Sequence, residues 1–135
     1  MIDKLKGLLE RSYSPYSHFP VAAIIIMKDG SEFGGVNVED ASTRAGTCAE
    51  RAAMFSAIST GYTKGDFKEI HIMVSSGKIG MPCFVCRQML VELFDLDSKV
   101  FCYSTNGEVK EFTVSEICPY PFSGDDLKWN VDLSV

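Results

Sequence analysis

The tightest constraint on how this chain can fold is that Cys48 has to be able to meet Cys83 and Cys86. Pro82-Cys83-Phe84-Val85-Cys86 presents two thiols separated by two residues after a proline, a spacing that fills two corners of a zinc tetrahedron. Cys48, within Thr47-Cys48-Ala49-Glu50-Arg51, can supply a third corner. Neither His18 nor His71 stands at ligand spacing from a cysteine, so no other cysteine or histidine set competes for the metal. The fourth corner is left open, which is the feature that separates a reactive zinc site from a closed structural one. Each thiol group precedes a helix-compatible run. The thiols are therefore expected at helix N-termini, where unpaired backbone amides and the positive end of the helix dipole favour thiolate over thiol.

Spacing also constrains the local geometry. Cys83 and Cys86, three residues apart, share one side of their helix, so a single ion can bridge them to Cys48 on another. Glu50 follows Cys48 by two residues, and in a regular helix the two side chains would diverge; Cys48 is therefore expected in the non-helical cap position. Three thiolates on a divalent ion leave excess negative charge. Arg51, three residues after Cys48, is placed to donate hydrogen bonds to ligand sulfur and draw charge off the metal. Glu50 is then the group that carries protons. The plainer alternatives are that these cysteines are buried hydrophobes, or that they form a structural zinc site with an unidentified fourth ligand. A closed site needs no carboxylate where Glu50 stands.

With 135 residues, 46% of them hydrophobic and 23% charged, the chain is expected to form one domain over residues 1–135 with a real core. Five cysteines are an odd number and three already have metal-like positions, so a disulfide framework is the poorer explanation. Cys102 and Cys118 are expected to be small packed hydrophobes. The net charge of −5 argues against a nucleic-acid partner and suits a small, nearly neutral one. Val21 to Met27 is too short to span a bilayer, and Lys4, Lys6, Glu10 and Arg11 interrupt the N-terminus, so a cytoplasmic protein with no membrane association is expected.

Ile2, Leu5, Leu8 and Leu9 fall on one helical face, predicting a helix that ends near Tyr13 before Pro15. Val21 to Met27 predicts a strand covered on both faces, turning at Asp29-Gly30 into a partner over Ser31 to Val38. A helix is expected from Cys48 to about Thr60, closed by Gly61. Lys68 to Ser75 predicts a strand with Ile70, Ile72 and Val74 alternating against Glu69, His71 and Met73. Cys83 to Phe94 predicts another helix. Strands over Val100 to Ser104 and Val109 to Thr113 flank Asn106-Gly107, and a short helix starts near Ser115 and stops at Pro119. The fold class expected is α/β, a mixed sheet covered by helices.

Ser14-Pro15-Tyr16-Ser17-His18-Phe19-Pro20-Val21, then Asn37-Val38-Glu39, then Cys48 to Arg51, then Cys83 to Gln88 follow in an order that resembles the small cytidine deaminase family over nearly the whole chain. The Cys-x-Glu and Pro-Cys-x-x-Cys spacing is itself that of zinc-dependent nucleobase deaminases. The resemblance implies a three-layer α-β-α sandwich with a mixed sheet of about five strands. It also implies one Zn2+ per chain, a homotetramer, and hydrolysis of cytidine and 2'-deoxycytidine to uridine and 2'-deoxyuridine in pyrimidine salvage.

Asn37 and Glu39 stand two apart at a predicted strand end, so both could share the hydroxyls of a sugar or could simply be exposed polar residues. The resemblance assigns them to the ribose. It also assigns Phe19 to the side of the pyrimidine, the backbone at Ala49 and carbonyls near Pro82 and Cys83 to the ring edge and amine, and Phe122 to a neighbouring subunit's pocket. Ala22, Asp40, Thr43 and Phe84-Val85 depart from the family pattern. Phe84 either enters the base pocket or points into the core. These departures keep open a related deaminase with a shifted substrate, of the blasticidin S or modified-cytidine type. A non-catalytic zinc-stabilised nucleoside-binding module is the rival from another class.

Overall fold

In the computed structural model, which describes residues 1–127, the element order is α1 (Ile2–Leu9), β1 (Val21–Met27), β2 (Glu32–Val36), α2 (Ala49–Thr60), β3 (Phe67–Val74), α3 (Phe84–Leu93), β4 (Phe94–Tyr103), β5 (Val109–Thr113) and α4 (Val114–Ile117). The strands form one sheet in the order β2-β1-β3-β4-β5. Among these strands only β3 and β4 run parallel; β1–β2 and β4–β5 are antiparallel hairpins, and β1–β3 is antiparallel across the connection through β2 and α2. The mixed five-stranded α/β sheet expected from the sequence is therefore present.

Alternating side chains divide the interior into two cores. Ala23, Ile25, Ile70, Ile72, Val100 and Cys102 point to the face covered by α2, α3 and α4. Ala22, Ile24, Met73 and Tyr103 point to the other face, where Leu5 and the apolar stripe of α1 cover them. This is why β1 reads as an unbroken apolar run: a central strand buried on both faces has no polar side to show.

Two expectations need correction. The first helix stops at Leu9, and Tyr13 instead pairs with Val38 as an isolated bridge. The alternation expected of β3 is present, with Ile70 and Ile72 on one face and His71 and Met73 on the other, and both faces are buried. His71 is satisfied there: Nδ1 shares a 2.8 Å hydrogen bond with the Tyr103 hydroxyl, Nε2 pairs with Glu69, and the ring stacks on Phe101. Finally, Phe94 does not end α3 but opens β4, which is much longer than its apolar Val100 to Ser104 segment.

Packing between layers fixes where the first thiol lies. A Cβ on Gly35 would stand 2.5 Å from the Ala49 carbonyl oxygen and 2.6 Å from the Ala53 nitrogen. Only glycine lets β2 approach the first turn of α2 so closely. That approach sets the start of α2 against the sheet edge.

Candidate metal centre and adjoining cavity

Both ligand segments end in the same local geometry. Cys48 is the N-cap of α2 with extended backbone (φ −76°, ψ 156°), and Cys83 is the N-cap of α3 (φ −67°, ψ 164°). Neither side chain caps its own helix, so both sulfurs are free to face outward. N-cap and N3 side chains are neighbours at a helix start. In α3 this pairs Cys83 with Cys86; in α2 it pairs Cys48 with Arg51. The cap position expected for Cys48 is thus present, and it resolves the apparent divergence from Glu50.

The three sulfurs lie within 4.8 Å of one another, with Cys48 Sγ 3.9 Å from Cys83 Sγ. Two sulfurs on one tetrahedral zinc, each bonded at about 2.3 Å, stand about 3.8 Å apart. All three cysteines are free thiols, and the soft donor set suits zinc. Arg51 Nη2 donates to Cys48 Sγ at 3.3 Å, the contact expected from its spacing. Cys48 is pulled down to about 5, first by its hydrogen bond with Cys86 and then by Arg51 and Cys83. Cys86 is pushed up, by that same bond, by burial and by nearby Glu50. The cluster without metal thus concentrates its negative charge on Cys48, beside the guanidinium.

Glu50 is 4% exposed, and burial raises its carboxyl above the ordinary range, with the Cys48 charge adding to the effect. It lines a cavity of about 780 Å³ together with Phe19, Asn37, Glu39, Ala49 and Arg51, among others. Every residue expected at the nucleoside or the metal, apart from Phe122, therefore either lines this cavity or belongs to the sulfur cluster. Phe19 is a half-exposed wall and not a core phenylalanine. Phe122 lies outside the lining, and its carbonyl accepts a 2.7 Å bond from Gln88 Nε2. Phe84 takes neither course expected of it: it is 71% exposed, outside the lining, with the Arg87 guanidinium 4.3 Å from its ring centroid.

Asn37 and Glu39 follow β2 in extended chain and are held by the segment before β1. Asn37 Oδ1 accepts from Val21 N–H at 2.8 Å and Ser12 Oγ at 2.5 Å, while Nδ2 donates to the Phe19 carbonyl at 2.9 Å. Glu39 accepts from the Tyr16 and Ser17 N–H groups, each at 3.1 Å, and from the Ser17 hydroxyl. Ser17 hydrogen bonds come first among the causes that lower its carboxyl below the ordinary range.

Sequence spacing gave no signal for several supporting residues. Asp40 accepts N–H groups from Ser42 (3.0 Å), Ala45 (3.1 Å) and Gly46 (3.1 Å), which winds the loop before Cys48 around one carboxylate. Thr43 sits in that loop at φ 61°, unusual for a β-branched residue, with its N–H bonded to the Asp40 carbonyl at 3.0 Å. Arg87 Nε donates to the Pro82 carbonyl at 2.7 Å and Nη1 to the Ile117 carbonyl at 2.8 Å, so it is a packing arginine that fixes the residue preceding Cys83.

A mixed α/β sheet, two helix starts that gather three thiols, and a buried glutamate over a cavity agree with what known proteins show. The family model "Cytidine and deoxycytidylate deaminase zinc-binding region" matches residues 1–104, and the chain belongs to that family. The cytidine deaminase of Halalkalibacterium halodurans is 41% identical over 118 residues, covering 87% of this chain and 88% of that one. That of Sporosarcina psychrophila is 33% identical over 129 residues, covering 96% and 93%. The crystal structure of cytidine deaminase from Burkholderia pseudomallei superposes with a TM-score of 0.85 at 36% identity, over 90% of this chain and 95% of that one.

The sulfur cluster predicts near-stoichiometric zinc in the purified protein, measured by elemental analysis, and loss of most of it in Cys83→Ala. Full metal retention by Cys83→Ala would remove that cysteine from the site.

Proposed function

We propose that the protein hydrolyses cytidine and 2'-deoxycytidine to uridine and 2'-deoxyuridine, with release of ammonia, as one domain over residues 1–135 holding one zinc. The observation that carries this reading is the buried Glu50 beside three gathered thiols, on the wall of a cavity of nucleoside size. Cys48, Cys83 and Cys86 would hold the ion, which when bound supplies Lewis-acid activation of water. Glu50 moves the protons. Its carboxylate accepts one from the attacking water, delivers it to N3 of the base, and carries a second to the amine that leaves from C4. A buried carboxyl with a raised proton affinity suits a group that must both take and give.

Arg51 holds the Cys48 sulfur and offsets the charge of three thiolates. Phe19 flanks the base, and the Ala49 backbone meets its edge. Asn37 and Glu39 bind the ribose, each with hydrogen-bonding capacity left over from its own chain. Phe84, the departure that most favoured a shifted substrate, stands away from the cavity, which supports the ordinary nucleosides. The non-catalytic module loses ground for a different reason: a buried carboxylate beside the metal ligands has no use in it.

The assembly proposed is a homotetramer, with Phe122 closing a neighbour's pocket. Exposed Phe84, Val85, Tyr120 and Phe122 support it, since a surface with that many large apolar groups is commonly covered. Work in pyrimidine salvage in the cytoplasm fits a small-molecule substrate with no nucleic-acid or membrane partner. Among the described residues, no helix is long and apolar enough to cross a membrane.

Glu50→Gln is expected to keep zinc and fold but lose nearly all ammonia release from cytidine; turnover near the original rate would contradict the proton route. The sugar assignment has its own test. Nucleosides should be used far better than CMP or cytosine, because cytosine has no sugar to engage the remaining hydrogen-bonding capacity of Asn37 and Glu39, while Glu39 and Asp40 repel a phosphate. Losing a charge-assisted hydrogen bond to the sugar costs about 1.5–3 kcal/mol, so Glu39→Ala should lower kcat/KM for cytidine at least about tenfold and barely change cytosine. Equal losses on both substrates would make Glu39 a support of the fold only.

A further inference from the structure

One hydroxyl ties together two groups assigned to the nucleoside. The Ser17 hydroxyl donates to Glu39 Oε2 and accepts the N–H of Phe19 at 3.1 Å. All three residues line the cavity. Between Ser17 and Phe19 the chain turns through His18 at φ 53°, with the His18 N–H bonded to the Ser14 carbonyl at 3.0 Å. A non-glycine residue holds such a backbone only where its surroundings over-determine it. The Ser17 hydroxyl is one of the groups that do so, because it anchors the residue after the turn.

Hydrogen-bonding capacity sharpens the point. A carboxylate offers roughly four acceptor sites. On Glu39, Oε1 already takes the Tyr16 and Ser17 N–H groups and Oε2 takes the Ser17 hydroxyl, which leaves one site on Oε2 for a ligand. Its direction is set by where the hydroxyl sits. The Asn37 side chain bonds instead to Ser12, Val21 and the Phe19 carbonyl.

We propose that Ser17 is a positioning residue for sugar recognition: its hydroxyl, oriented by accepting the Phe19 N–H, aims the remaining acceptor site of Glu39 and so sets the preference for nucleosides over free bases. The proposal rests on the nucleoside reading above and deepens it. Ser17 acts through Glu39 and takes no part in proton transfer.

The test compares kcat/KM for cytidine and for cytosine in the zinc-loaded protein and in Ser17→Ala, Ser17→Thr, Glu39→Ala and the double variant Ser17→Ala with Glu39→Ala, with a melting temperature for each. Ser17→Ala should lose about tenfold on cytidine, mostly through KM, and keep its cytosine rate and zinc content. Ser17→Thr, which retains the hydroxyl, should keep the original preference. The double variant should be no worse on cytidine than Glu39→Ala alone, because the hydroxyl has then lost the group it aims. If Ser17→Ala does not fold, Ser17→Cys, whose thiol is a weak donor, replaces it in the comparison with Ser17→Thr. Equal losses on cytidine and cytosine, or full additivity in the double variant, would overturn the proposal while leaving the nucleoside reading intact. An unaltered protein with no preference for cytidine over cytosine would overturn both.

Discussion

Two helix N-termini aimed at one point are what the rest of this structure depends on. Thiolates need positive surroundings, and the starts of α2 and α3 provide them through unpaired amides, joined by the Arg51 guanidinium. The N-cap position matters as much as the field. An extended residue directly before a helix points its side chain away from the helix axis, so Cys48 and Cys83 reach across to each other while Cys86 reaches the same place from the N3 position. Glu50, at N2 of α2, is carried into the cavity by the same turn.

Bringing those helix starts together is a problem of loops, and the chain solves it with close backbone approaches and side-chain hydrogen bonds to the backbone. A Cβ on Gly46 would stand 2.1 Å from the Val38 carbonyl oxygen, so the strand-like segment carrying Asn37 and Glu39 lies directly against the loop that delivers Cys48. Asp40 gathers that loop's N–H groups. On the other side, Arg87 joins the Pro82 carbonyl to the end of α4, a helix itself fixed by the Thr113 and Glu116 capping box. The cysteine cluster and the segment carrying Asn37 and Glu39 are consequently parts of one packed unit, and a shift in either loop would be felt in both.

Much of this is legible in the sequence for identifiable reasons. Cysteine spacing encodes the metal cluster because ligand geometry tolerates few alternatives, and the conflict between Cys48 and Glu50 in a regular helix reveals the cap. Strand β1 is readable because burial on both faces leaves a purely apolar run. His71 is legible as a strand histidine but its depth is not, because that depends on Tyr103 and Glu69, partners that no local pattern announces. The long β4 is hidden for a different reason: Asp95, Leu96 and Asp97 lie between its pairings at Phe94 and Lys99 with their side chains exposed, so apolar periodicity begins only further along. Ser17 acts on the carboxylate of Glu39, far off in the chain, and no local pattern points to that contact.

The most direct measurement is zinc K-edge X-ray absorption on the purified protein, because the account stands on three thiols and one open corner. The prediction is three sulfur scatterers and one lighter atom at the metal, the sulfurs being Cys48, Cys83 and Cys86. Four sulfurs, or a shell containing histidine, would contradict it: the first would close the corner at which water must be activated, and the second would mean a ligand set other than the one these helix starts present.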